Sequence, residues 1–202
     1  MDKINRYAMC SLRPDEVYIF NVALCDNQID RDFERFSIAA LYKMAELFLG
    51  KTGIKDHDAR SVNQVARIFD TRVVQEGGYA RLEASAYMVK NAETAPFIDF
   101  IEGGINKEVS VSLAVKKAIC SICGKNCIES RCEHTPGENG AYLTLDEPAD
   151  AYEWSFVAVP AQRNAGVVKS FRSPRSPSPG QDCERLLDEC RKILNKYQKE
   201  LY

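Results

Sequence analysis

Histidine and tryptophan are scarce in this chain: its 202 residues include two histidines, His57 and His134, and a single tryptophan. Imidazole is the side chain whose ordinary protonation equilibrium lies closest to neutral pH. A mechanism built on a histidine base must therefore use one of these two. Charge of one sign is also missing. With 27 Lys and Arg against 29 Asp and Glu, the formal net charge of -2 gives no global attraction to nucleic acid or to an anionic membrane. No apolar run approaches the roughly 20 residues that span a bilayer, and the opening Met1-Asp2-Lys3-Ile4-Asn5-Arg6 carries no apolar signal core. Nor is there a disulfide framework. Four of the eight cysteines crowd between Cys120 and Cys132 while Cys10, Cys25, Cys183 and Cys190 are scattered, a spacing that suits reduced thiols and a metal. These absences set the expectation of a soluble cytoplasmic protein with neither membrane nor nucleic acid as partner.

A hydrophobic content of 45% is enough for a real core in one domain with appendages. Val17 to Leu24 is rich in β-branched and aromatic residues and reads as a strand, and an acidic loop around Asp26, Asp30 and Asp32 follows it. From Ser37, a good N-cap, Ile38, Leu41, Ala45 and Phe48 recur at helical spacing until Gly50. Gln64 to Val74 and Tyr79 to Val89 read as two strands of an antiparallel hairpin turned by Gly77-Gly78. A short helix is expected from Thr94, with Pro96 in its first turn, to Gly103-Gly104. Strands resume at Val109 to Val115 and at Glu153 to Val159.

A strand sends alternate side chains to opposite faces. Val109, Val111, Leu113 and Val115 thus share one face, and Ser110, Ser112 and Ala114 the other; in the last strand Trp154 and Phe156 oppose Glu153 and Ser155. Each strand presents small polar groups behind a committed apolar face. Between these strands lies Cys120-Ser121-Ile122-Cys123-Gly124, a Cys-x-x-Cys-Gly knuckle, followed by Cys132-Glu133-His134. Tetrahedral zinc takes thiolates and imidazole, and a tight turn ending in glycine aims two sulfurs at one ion. The expected ligands are Cys120, Cys123, Cys132 and His134, with Cys127 as the alternative fourth donor. Four protein ligands close the shell, so a zinc here is structural, and no catalytic cofactor is expected. Lys116, Lys117, Lys125 and Arg131 surround the knuckle, but Glu129, Glu133 and Glu138 dilute them and no aromatic platform interleaves, which argues against nucleic acid.

Asp56-His57-Asp58 after a helix, the long hairpin, a helix ending Gly-Gly-Ile-Asn-Lys, then Glu108-Val109-Ser110-Val111-Ser112-Leu113, and finally Tyr152 to Ala165 (YEWSFVAVPAQRNA) resemble in their order the tailed-phage prohead proteases, which mature capsids. The likeness covers roughly residues 15 to 169. It implies a fold shared with the herpesvirus assemblin proteases, here expected as an α+β chain whose protease core is mainly antiparallel and barrel-like, with flanking helices and a zinc-binding insertion at about 118–140. It also implies a serine nucleophile with a histidine base. Ser110 falls on the family's nucleophile, although the glycine that usually follows two residues later is Ser112 here, which makes Ser112 the reserve. His57 matches the base, and Glu153 the acidic position that opens the last strand motif; Asp56 and Asp58 are alternatives close in sequence. Arg163 is a candidate to support the oxyanion. The implied substrates are the major capsid protein, the scaffold protein and the chain itself, within proheads assembling in a bacterial cytoplasm. The competing expectation is a non-catalytic assembly factor on the same fold.

Beyond Lys169 the composition changes. Residues 170–180, with Ser173-Pro174-Arg175-Ser176-Pro177, read as an extended linker. In 181–202, Cys183, Leu186, Cys190, Ile193 and Tyr197 recur at three and four, an amphipathic helix suited to coiled-coil pairing, self-association or scaffold binding.

Overall fold

A computed structural model describes residues 1–168 and Leu187. The expected linker at 170–180 and terminal helix at 181–202 therefore lie outside the described residues, apart from Leu187. The element order is α1 (Asp2–Asn5), β1 (Val17–Asp26), β2 (Glu34–Phe36), α2 (Ile38–Phe48), β3 (Thr52–Lys55), β4 (Ala66–Glu76), β5 (Tyr79–Val89), α3 (Ala95–Glu102), β6 (Val109–Cys120), β7 (Leu143–Phe156) and β8 (Gly166–Val168).

The fold is α+β, built on one eight-stranded sheet in the order β2-β7-β3-β4-β5-β1-β8, with β6 on the other side of β7. Most strand pairs are antiparallel, as expected, but the expectation of a barrel-like core is corrected. The sheet is mixed, because β7 runs parallel to both β2 and β3 while it runs antiparallel to β6. It is also not a closed barrel: β2 and β3 are three and four residues long, and β8 meets only the chain just before β6, through the isolated bridge of Glu108 with Gly166 and the Val167 amide donating to the Lys107 carbonyl. Strands this short supply too few ladder bonds to carry a continuous wall, so β7 shares one edge between them.

Local chemistry accounts for the elements. The Ser37 hydroxyl accepts the Ala40 amide and caps α2, whose Ala40, Leu41, Met44 and Phe48 are buried in the stripe that the spacing demands. Gly77, at φ +58°, turns the β4–β5 hairpin. The core gathers Phe20, Leu24, Leu82 and Met88 from the sheet with Phe48 from α2 around Trp154, which is fully buried. Phe20, Trp154 and Phe156 form an aromatic cluster with centroids 5.1–6.2 Å apart. Gly53 on β3 lies against the indole: a Cβ there would drive into the Trp154 ring. This close approach lets β3 pair with β7 beside the core and deliver the chain at once to Asp56 and His57.

The β6–β7 hairpin is longer than the sequence indicates. β6 runs on to Cys120 and β7 begins at Leu143, with register shifts after Ser112 and Ala114. Pro148 falls at one of these irregularities, where its missing N–H costs no ladder bond. Among the described residues, no helix is long and apolar enough to cross a membrane.

Candidate active site and metal centre

β7 organises the candidate site because it lies between the root of β6 and the end of β3. Its register pairs Ser110 with Ser155 and Ser112 with Glu153. Directly paired residues on neighbouring strands share a face, so the two serines of β6 and the Glu153–Ser155 pair of β7 stand together, opposite the buried Trp154. From the other side, β3 ends at Lys55 and the chain turns through Asp56 and His57, both at φ +53°. Two successive non-glycine residues in the left-handed region need their surroundings to hold them. The Asp56 amide donates to the Phe156 carbonyl (2.9 Å) and the His57 amide to the Ser155 hydroxyl oxygen (2.8 Å). Ser155 is fully buried. The sequence shows Ser155 on the polar face of its strand, but its use as the clamp on the histidine turn becomes visible only when β3 and β7 pair.

The His57 ring reaches Glu153, with Nδ1 2.7 Å from Oε1. A carboxylate only accepts, so Nδ1 carries the proton and Nε2 is left as the basic nitrogen. This is the division of labour in a Ser-His-acid triad, where the acid fixes the tautomer and the other nitrogen takes the nucleophile's proton. Glu153 is the acid on the imidazole. Asp58 instead holds Arg60 (Oδ2 to Nε, 2.7 Å), and that guanidinium keeps the Asp58 carboxyl below its usual range. Glu153 Oε2 is buried without a hydrogen-bond partner, and the hydroxyl that the register sets opposite is that of Ser112. Ser112 thus stands directly across from Glu153, and Ser110 across from Ser155, whose hydroxyl holds the His57 amide.

Arg163, the candidate oxyanion support, is exposed. Its neighbours are tied down by a network that the sequence does not announce. The Gln162 side chain accepts the Asp26 amide (3.0 Å) and donates to Asp30 (3.2 Å), and the Asn164 amide group donates to Asp26 (3.0 Å). Asp26, Asp30 and Gln162 are all buried. The acidic loop and the Ala-Gln-Arg-Asn-Ala segment thus form one polar core that fixes the chain leaving β7.

The metal candidates occupy the far end of the same hairpin. Sγ of Cys120, Cys123 and Cys132 and a ring nitrogen of His134 lie within 4.8 Å of one another. The Cys123–Cys132 sulfurs are 3.6 Å apart, and His134 Nδ1 lies 3.7 Å from the Cys120 sulfur and 3.6 Å from the Cys132 sulfur. Zinc–sulfur bonds of about 2.3 Å at tetrahedral angles require edges of roughly 3.8 Å, so the four donors can hold a metal ion. Gly124, at φ +69°, turns the knuckle, and its amide donates to the Cys120 carbonyl. The Cys123 and Ile122 amides, with help from the neighbouring thiols, draw the Cys120 thiol down to about 6. Cys127 lies outside this set, its thiol directed at the Lys125 carbonyl (3.8 Å).

Two expected results follow from this geometry. If the pair serves a Ser-His-acid hydrolase, Glu153→Gln should leave the fold intact and lower kcat by about 10⁴-fold, because the amide can hold the wrong imidazole tautomer; steady-state hydrolysis of a peptide substrate checks it. Ser155→Ala removes the acceptor of the part-buried His57 amide, a hydrogen bond worth about 0.5–1.5 kcal/mol. If His57 is a catalytic base, the change should appear as a roughly 2- to 10-fold fall in kcat with KM little changed, since the loss lies in positioning the base. Comparisons with family models, with curated proteins and with solved structures each return no match.

Proposed function

We propose that this chain is a serine endopeptidase of the prohead-maturation kind, cutting capsid and scaffold proteins and itself through an acyl-enzyme. The observation that carries this reading is the 2.7 Å His57–Glu153 contact on the strand face that presents Ser110 and Ser112. In this reading Nε2 of His57 removes the Ser110 proton, Glu153 stabilises the imidazolium, and the serine oxygen attacks the peptide carbonyl. His57 then returns the proton to the leaving amine, and water repeats the sequence to release the acyl group. The resemblance in motif order supports Ser110 over Ser112 as nucleophile. In the same reading the Cys120, Cys123, Cys132 and His134 cluster holds a structural zinc. Its four donors leave no position for a reacting water, and it sits ten residues up β6 from Ser110, roughly 33 Å at about 3.3 Å per residue.

A fluorophosphonate probe tests the reading directly, because it labels only a serine activated by a base. One adduct per chain, mapped to Ser110 by mass spectrometry and lost in His57→Ala, is the expected result. A folded chain that takes no label at either serine would instead be a non-catalytic assembly factor.

A further inference from the structure

Where β3 ends and the chain turns toward His57, the surface opens into a cleft of about 450 Å³. Asp56, next to His57, forms one wall, and Glu108, two residues before Ser110, forms another. The Glu108 carbonyl accepts the Val157 amide (3.1 Å), so the cleft lies against the root of the β6–β7 ladder where the candidate nucleophile stands. Its floor is aromatic: Phe97 of α3 meets Phe156 edge to face with centroids 5.0 Å apart. Ile105, beyond α3, and Val157 add apolar wall, and Ile105 is 68% exposed.

The charges at the mouth decide what can enter. Lys55 holds its ammonium over the Phe97 ring, 4.7 Å from the centroid, so a substrate cation would meet a like charge above the floor. Glu108 is already paired with Lys107 at 3.2 Å, which leaves it less to offer such a cation. A substrate carboxylate would meet Asp56, whose charge opposes the pull of Lys55, so the mouth carries both signs and favours neither charge. An apolar side chain meets neither repulsion and gains the aromatic floor.

We propose that this cleft is a specificity subsite that takes a bulky apolar side chain of the substrate, such as leucine, methionine or phenylalanine, within two residues of the scissile bond; the inference rests on the protease reading. Ile105 and Phe97 are then specificity-determining residues. Ile105→Trp fills the mouth from an exposed position, and Phe97→Ala hollows the floor.

The test is cleavage-site profiling of the full-length chain against a mixed peptide library, with new termini read by mass spectrometry, in parallel with fluorophosphonate labelling. The wild type is expected to enrich bulky apolar residues at one position within two residues of the cut. In Ile105→Trp that enrichment should fall about tenfold or more, on the scale by which a pocket distinguishes one or a few methylenes, with fluorophosphonate labelling followed beside it to report the nucleophile separately. Phe97→Ala should move the preference toward larger rings. Should Phe97→Ala fail to fold, Ile105→Trp alone decides the matter. Cuts flanked by charged or small residues at every nearby position, or a profile that Ile105→Trp leaves unmoved, would overturn the subsite while the protease reading stands. A chain that neither takes label nor makes new termini would overturn both.

Discussion

In the protease reading proposed above, Ser110→Ala is expected to stop cleavage altogether when the protein is co-expressed with the proposed capsid and scaffold substrates, with only full-length masses recovered. In a well-studied serine protease, loss of the nucleophile costs about 2 × 10⁶ in kcat, far below what intact-mass detection would register as product. Ser112→Ala is expected to retain cleavage within about tenfold, because in the proposed arrangement its hydroxyl faces the second oxygen of Glu153 and does not attack. The pair of variants is informative because the two serines share one strand face, two residues apart, and no difference in burial separates them. Cleavage lost only in Ser112→Ala would move the nucleophile to the position directly across from Glu153. Full-length masses from all three chains, wild type included, would favour the assembly-factor reading. A matched thermal melt excludes misfolding as the cause.

The sequence carried the long, periodic elements and the ligand spacing, and lost what depends on pairing at a distance. α2 stands where its capping serine and apolar stripe place it, and the β4–β5 hairpin turns at Gly77-Gly78. The knuckle was legible because Cys-x-x-Cys-Gly is a local geometry, and its four expected donors are the four that the fold brings together. β2, β3 and β8 were not legible: at three or four residues they have no periodicity to read, and Gly53 in β3 makes sense only against the Trp154 ring. The upper half of the β6–β7 hairpin was hidden for another reason. Lys116, Lys117, Asp146 and Glu147 look like loop, yet they lie on the continuing strands of β6 and β7. The barrel-like expectation failed on the same short strands, since only the pairing shows that β7 divides its edge between two parallel partners. At the site, the alternation of β7 put Glu153 and Ser155 on the same side, but nothing local could show that Ser155 holds the His57 amide. Asp56 and Asp58 competed for the acid's role by nearness in sequence, whereas the fold gives the imidazole to a residue 96 positions away.

If the Cys120, Cys123, Cys132 and His134 cluster holds zinc as proposed, stripping the metal should have the largest effect on stability, and that effect should be local. Zinc binding by small structural sites is worth about 10–16 kcal/mol near neutral pH, and here the four donors close a segment that is otherwise thinly buried. Cys123 and nearby Ile122 and Ile128 are exposed, and beyond Cys120 few apolar side chains cover the tip. Ser110 stands at the other end of the ladder, where Val109, Trp154 and Phe156 are buried in the main core. Treatment with a strong chelator, or Cys132→Ser, is therefore expected to remove one zinc per chain by elemental analysis and to split the melt, the tip opening in its own transition below that of the main core. Hydrogen exchange should rise across 117–120 and 143–146 and stay slow at 109–112 and 153–156, with fluorophosphonate labelling of Ser110 reduced less than about tenfold. Cys127→Ser should keep the zinc, because its sulfur stands outside the donor set. Retention should weaken as pH falls, since each ligand must shed its proton to bind and the acid competes for the same lone pairs. A chain that melts and exchanges identically with and without chelator would show that the β6–β7 tip holds its form by hydrogen bonds alone, such as those of the Asn126 side chain to the Ala118 amide and the Lys116 carbonyl. If the active-site end loosened together with the tip, the two would be one cooperative unit, with the metal governing the register that sets Ser110 opposite Ser155.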